Sequence, residues 1–258
     1  MNPKNEPEFL ASYLDFQAQV GITKHNGGVE ATTALLARCH LEAAQEVLYV
    51  GSGIGAGPAW IAKRYGTRVV GVDISPKMIE WSWQRAREER ILAKVDFKVA
   101  DILDLPFEAG RFDAVVVESV AAFVEDKQRA IRECVRVTKP GGYVGLNETV
   151  WLDMPPPVAL VEKAKVLGTK ILTAAEWKLL WDQSGLQDRS FEVHAIDNRK
   201  EIKGRMQWVG ARWALRGFGR LIYLYLTNPV MRKSIKESFD APLEVLTLMG
   251  YALFTGRK

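Results

Sequence analysis

Two cysteines and three histidines in 258 residues leave little material for disulfides or metal chemistry. Cys39 and Cys134 lie far apart, with no CxxC pair and none of the spacing of an iron–sulfur cluster, so radical chemistry is excluded and no metal is expected. Long apolar runs are also missing. The uncharged stretch Leu221 to Met231 near the C-terminus falls well short of the ~20 residues that span a bilayer. Asn2 to Glu8 is polar and proline-containing rather than signal-like, so two reduced thiols in a cytoplasmic protein are expected. There is no internal repeat and no low-complexity tract. Charge of one sign is not in excess either: 35 basic against 31 acidic residues give +4, and composition alone calls for neither nucleic acid nor a membrane.

Alternating periodicities are what the chain does contain, and 48% hydrophobic residues suffice for one large α/β domain with insertions. Short β-branched runs at Glu46–Val50, Arg68–Val72, Val95–Val99, Phe112–Val117 and Tyr143–Asn147 are bounded by Gly, Pro or Asp and predict strands. Between them, Pro58–Tyr65, Pro76–Leu92 behind an N-capping Ser75, and Lys127–Thr138 before KPGG predict helices. Such alternation implies a buried, mostly parallel sheet whose ligand lies beyond the carboxyl ends of the strands near the switch point.

The first of those ends is rich in glycine. Gly51, Gly53 and Gly55 follow a strand directly and Pro58 starts a helix, so backbone can approach a ligand with no Cβ in the way. Asp73, twenty-two residues after Gly51, ends the next strand, where a carboxylate can accept from two ribose hydroxyls. Nicotinamide and adenosyl ligands both fit this much, as does a tight turn with a helix-capping acid.

The following segments separate the ligands. ADILDLPF (Ala100–Phe107) places Asp101 after the third strand, and GRFDAVVVESVAAFVED with KQRAIRECVRVTKPGGYVGLNE completes strand, helix and strand. From about Ala44 to Glu148 this string resembles the class I S-adenosylmethionine-dependent methyltransferases, small-molecule branch, similar to ubiquinone, menaquinone and sterol methyltransferases. The resemblance implies a Rossmann-like three-layer sandwich: a mostly parallel seven-stranded sheet with an antiparallel last strand, plus a helical substrate cover. It implies S-adenosylmethionine as cofactor and S-adenosylhomocysteine as product. Gly51, Ser52 and Gly53 would lie against the methionine moiety, Asp73 on the ribose, Ile74 and Met78 on the adenine. Asp101 would accept from the adenine amino group, Ile102 would cover the other ring face, and Glu118 with Ser119 would close the pocket. One position departs from the pattern: Tyr49 stands where the family has an acid two residues before the first glycine. A phenol can hydrogen-bond there but supplies no charge at neutral pH, or it packs under the turn as a sheet residue. No NPPY-like tetrapeptide follows strand four, which argues against amino-methylating DNA enzymes, and no DNA partner is expected.

Upstream, GITKHNGGVEATTALLARCHL resembles the lead-in of several small-molecule methyltransferases. It implies that His25, Gly27 and Gly28 line the methyl-donor pocket, with His25 placed to act as a base near neutral pH. His25 and Glu118 are the candidate catalytic residues. The organisation expected is a single domain: an N-terminal helical lid (1–45), a cofactor-binding half (46–148) and a substrate half (149–258) with insertions at 153–167 and 197–246. In the second insertion Arg212, Arg216 and Arg220 share one helical face and interleave with Trp208, Trp213, Phe218, Tyr223 and Tyr225. Such a face suits an anionic or amphipathic small molecule, RNA, peripheral membrane contact through 204–236, or plain solvation. The function expected is methyl transfer to a small, apolar or lipid-like acceptor. A non-catalytic binder of the adenosyl ligand, and behind it an NAD(P)-dependent oxidoreductase, are the alternatives.

Overall fold

The structure is a computed structural model that describes residues 17–21, 26–152, 155–166, 168–197, 208–229, 232 and 248–258. Its strands are β1 (Glu46–Val50), β2 (Arg68–Asp73), β3 (Val95–Val99), β4 (Phe112–Glu118), β5 (Thr138–Trp151), β6 (Leu172–Thr173), β7 (Gln187–Ala195) and β8 (Met249–Arg257). They form one sheet in the order β3-β2-β1-β4-β5-β8-β7, and the two-residue β6 pairs with β5 off this path. The pairs from β3 across to β5 are parallel, whereas β8 runs antiparallel to both β5 and β7. The five strands given ranges from the sequence are present, although β5 begins at Thr138, which the sequence placed at the end of the preceding helix, and runs on to Trp151; β7 and β8 complete the expected seven, and β6 is an addition.

Continuous β-branched runs form the central strands because both faces are covered. On one face Leu48, Val70, Val115, Val117 and Leu146 meet α4 (Lys127–Val137) and α6 (Ala174–Asp182), which contributes the buried Trp177 and Trp181. On the other, Val47, Tyr49, Val69, Ala114 and Val116 meet α1 (Gly28–Arg38), α2 (Ala56–Tyr65) and α3 (Pro76–Glu88). Three layers result. Cys39 and Cys134 fall in opposite layers and are free and buried, and burial pushes both thiols up to about 12.

Local chemistry sets the element ends. Ser75 caps α3, accepting from the Met78 amide, and α3 stops at Glu88, short of the anticipated Leu92. Asp126 caps α4, and Thr173 with Glu176 makes a reciprocal capping box at α6. The KPGG segment is an excursion within β5: Phe112 pairs with Thr138, yet Ala114 pairs with Tyr143, so residues 139–142 leave the ladder, with Gly141 at φ 79°. The first insertion contains α5 (Val158–Val166), and the second contains α7 (Ala211–Thr227). Among the described residues, no helix is long and apolar enough to cross a membrane.

Candidate functional site

Because β1 lies between β2 and β4, the carboxyl ends of β1, β2 and β4 stand side by side at the point where the strand order reverses. After Val50 the chain turns over β2. The Gly51 and Ser52 amides both donate to the Val72 carbonyl at 2.8 Å, and Gly51, Gly53 and Gly55 all have positive φ. Asp73 ties this turn down: one carboxylate oxygen accepts from the Gly53 amide at 2.8 Å and the other from the Ser75 amide at 2.9 Å. Burial raises the Asp73 pKa, partly opposed by those two amides. From below, the Ser82 hydroxyl donates to the Gly53 carbonyl and the Arg85 guanidinium to the Ile54 carbonyl.

Gly51 answers to a second constraint. A Cβ there would lie 2.1 Å from a Val120 methyl, so the segment after β4 leans directly onto the glycine turn. That segment is fixed by β5. Ser119, at φ 57°, donates its amide to the Asn147 carbonyl, and the Val120 and Ala121 amides both donate to Glu148 Oε1, at 3.0 and 2.8 Å. Glu148 is fully buried and its other oxygen has no partner, so burial lifts its pKa to about 7. Lys127, facing it from α4, is lowered to about 8 by burial and donates to the Val124 carbonyl.

Tyr49 and Glu118 resolve the departure noted in the sequence. Tyr49 pairs with Val116, so Glu118, two residues further along β4, falls on the same face of the sheet. The phenol donates to Glu118 Oε2 at 2.7 Å, while Oε1 accepts from the Thr32 hydroxyl of α1 at 2.7 Å and the Asn147 amide at 3.2 Å. Burial and then the Glu118 charge drive the Tyr49 pKa well above its usual value, so the ring stays a donor. The carboxylate absent from β1 is present on the adjacent strand, hydrogen-bonded to the residue that replaced it. Asn147 also donates to the Asn26 carbonyl, and Asn26 to Thr149, so this network fastens the start of α1 to β5.

The remaining predicted residues divide into two groups. Asp101 is half-buried and accepts from the Leu103 amide at 2.9 Å; Ile102 is buried and Ile74 is 49% exposed, beside Asp73. Ser52 is buried, and the Ser119 hydroxyl is buried without a partner. Met78 packs in a cluster with Ile54, Ala56, Trp208 and Trp213 that joins α7 to the glycine turn. Gly27 and Gly28 open α1, with Gly27 against Tyr251, while His25 lies outside the described residues. Asn147, Glu148 and Arg85 are the residues that sequence reading missed.

The arginine face of α7 is more engaged than its spacing suggests. Arg216 pairs with Glu88, and Arg220 lies 4.9 Å over the Trp81 ring. With Trp213, Tyr223 and Gln84 these residues line an open groove of about 610 Å³ between α3 and α7, which none of the glycine-turn residues, Asp73 or Glu118 lines.

Residues 48–146 match the family described as the methyltransferase domain. The methyltransferase GfsG of Streptomyces halstedii is 32% identical over 123 residues, covering 48% of this chain and 44% of that protein, so the match spans less than half of the relative. Among solved structures, phosphoethanolamine N-methyltransferase 2 of Haemonchus contortus with S-adenosyl-L-methionine superposes with a TM-score of 0.75 at 18% identity, over 99% of this chain and 61% of that one. The cyclase SpnF superposes with a TM-score of 0.69 at 21% identity, over 97% and 93%. At these identities the structural likeness establishes the fold. Residues 48–146 thus match the methyltransferase-domain family, within a chain whose whole fold is the Rossmann-like one of these methyltransferase neighbours.

Proposed function

We propose that the chain transfers a methyl group from S-adenosylmethionine to a small acceptor with an apolar or lipid-like body. The observation that carries this reading is the Asp73 carboxylate, bound to the Gly53 amide where the strand order reverses, inside a methyltransferase domain. The site fits the cofactor. Asp73 would accept from the ribose hydroxyls, Ile74 and Ile102 would flank the adenine and Asp101 would accept from its amino group, while the Gly51, Ser52 and Gly53 backbone would lie against the methionine end. When bound, the sulfonium supplies an activated methyl group with an excellent leaving group. The protein's own task is then to hold the acceptor in line and exclude water. Both oxygens of Glu118 already accept internal bonds, so we assign it a positioning role through Tyr49 and Thr32. A base, where the acceptor needs one, falls to His25. We read 46–148 as the cofactor half and 149–258 as the acceptor half under the cover. A cytoplasmic location suits two buried thiols on opposite sides of the sheet.

S-adenosylhomocysteine should raise the melting temperature, and NAD or NADP should leave it unchanged, because only a ligand of the native state shifts unfolding. Replacing Asp73 by Ala should weaken S-adenosylmethionine binding by about 1.5–3 kcal/mol in titration calorimetry, the scale of lost charge-assisted hydrogen bonds. Unchanged affinity would remove Asp73 from the site. The likeness to a cyclase over nearly the whole chain favours a second reading, in which the adenosyl ligand is bound without transfer. Release of S-adenosylhomocysteine in the presence of an acceptor library distinguishes the two.

A further inference from the structure

Charge that is balanced over the whole chain is segregated along it. Residues 198–236 hold ten lysines and arginines and one acid, leaving 25 basic and 30 acidic residues elsewhere. The described core of that segment is α7. Its inner face, Trp213, Gly217 and Leu224, is buried. The opposite face is apolar and open: Leu215 is 72% exposed, Phe218 62%, Ile222 46% and Leu226 66%, at a spacing that makes one stripe along the helix. Arg212, Tyr223, Arg216 and Arg220 run along one flank of the stripe, Arg212 nearest to it, while Arg216 pairs with Glu88 and Arg220 lies over Trp81 toward the inner face. Arg232 closes the far end, donating to the carbonyls of Tyr225 and Leu226.

We propose that α7 is an interfacial helix that docks this molecule on an anionic lipid bilayer, with Leu215, Phe218, Ile222 and Leu226 inserted among the acyl chains and the flanking cations at headgroup level. An apolar stripe beside a cationic flank is the pattern of a helix lying in a membrane surface. A second copy of the chain is a poorer occupant, since a symmetric contact through this face would set two strongly cationic segments against each other. Nucleic acid would satisfy the cations and leave four large apolar side chains without a partner. Trp208 and Trp213 join α7 to Ile54, Ala56 and Met78, so docking would hold the strand-end site at the lipid surface. The surface is independent of whether methyl transfer occurs.

The test is co-sedimentation with vesicles of phosphatidylcholine alone and of phosphatidylcholine mixed with phosphatidylglycerol, across a salt series. The native chain should partition into the anionic vesicles about tenfold or more above the neutral ones, and less as salt screens the cations. Changing Leu215, Phe218, Ile222 and Leu226 together to Ser should lower that partitioning about tenfold or more, and changing only Leu215 and Ile222 should give an intermediate loss. In both variants the melting temperature and its response to S-adenosylhomocysteine should be kept, since the side chains are exposed. Native protein left in the supernatant with both vesicle types overturns the proposal. So does binding that salt abolishes but the serine variants retain, which would mark a purely electrostatic surface such as one for nucleic acid. A dimer in light scattering that the serine variants dissociate, with no vesicle binding, would assign the stripe to a second copy.

Discussion

Replacing Glu118 by Ala is expected to cost about 3–5 kcal/mol of stability, because three buried donors lose their acceptor at once. The Tyr49 and Thr32 hydroxyls and the Asn147 amide all point at this carboxylate from β1, α1 and β5. Burial leaves these donors little access to bulk solvent as a substitute, since Thr32 and Asn147 are wholly buried and Tyr49 is 4% exposed. Glu118→Gln should be milder, on the order of 1–2 kcal/mol, since the amide oxygen still accepts and the phenol can turn its lone pair toward the new N–H. Urea unfolding of both variants checks the ranking. Equal losses, or an alanine variant as stable as the native chain, would mean that the network does not fasten α1 to the sheet.

A second large effect concerns pH. Glu148 titrates near 7 in the folded protein against 4.5 in an unfolded chain, so between those values the native state keeps a proton that the unfolded state has lost. Stability should therefore fall as pH rises through that window, by about 3 kcal/mol at full ionisation. Lys127, the cation facing this carboxylate, keeps its charge across the window because it titrates near 8. Glu148→Gln keeps an oxygen for the Val120 and Ala121 amides and cannot ionise. The unfolding free energies of the two proteins should be similar near pH 5 and diverge toward pH 8, the variant becoming the more stable. Parallel curves from pH 5 to 8 would show that Glu148 has an ordinary acidity and that the turn above it carries no such penalty.

The sheet was legible because parallel strands covered on both faces must be written as nearly continuous apolar runs, as at Val47–Val50 and Val115–Val117. Asp73 and the glycine turn were legible for a related reason: positive φ and an acid at a strand end leave a local signature. Glu148 left none. An acid in a strand reads as a solvent-facing residue, and only the fold reveals that two amides from another segment converge on it. The pairing of Tyr49 with Glu118 was hidden by 69 residues of separation, although the period of two along adjacent strands would have exposed it once β1 was set beside β4. β6 escaped notice because two residues carry no periodicity at all. On α7 the arginine spacing was visible, but which side of the helix faced the protein depended on where Trp213 and Leu224 were buried.

The position of β8 bears on how the chain is made. It enters between β5 and β7, exchanging ladder bonds with both, and is composed of residues 249–257, about a hundred positions after most of β5 has been synthesised. Throughout that interval the flank of β5 from Tyr143 to Trp151 that β8 will take has its backbone amides and carbonyls open, because β4 and β6 pair with the opposite flank. A nascent chain on the ribosome thus carries an unpaired sheet edge until residues 249–257 have emerged, and the interval before they arrive is when strand exchange between neighbouring nascent chains is most favoured.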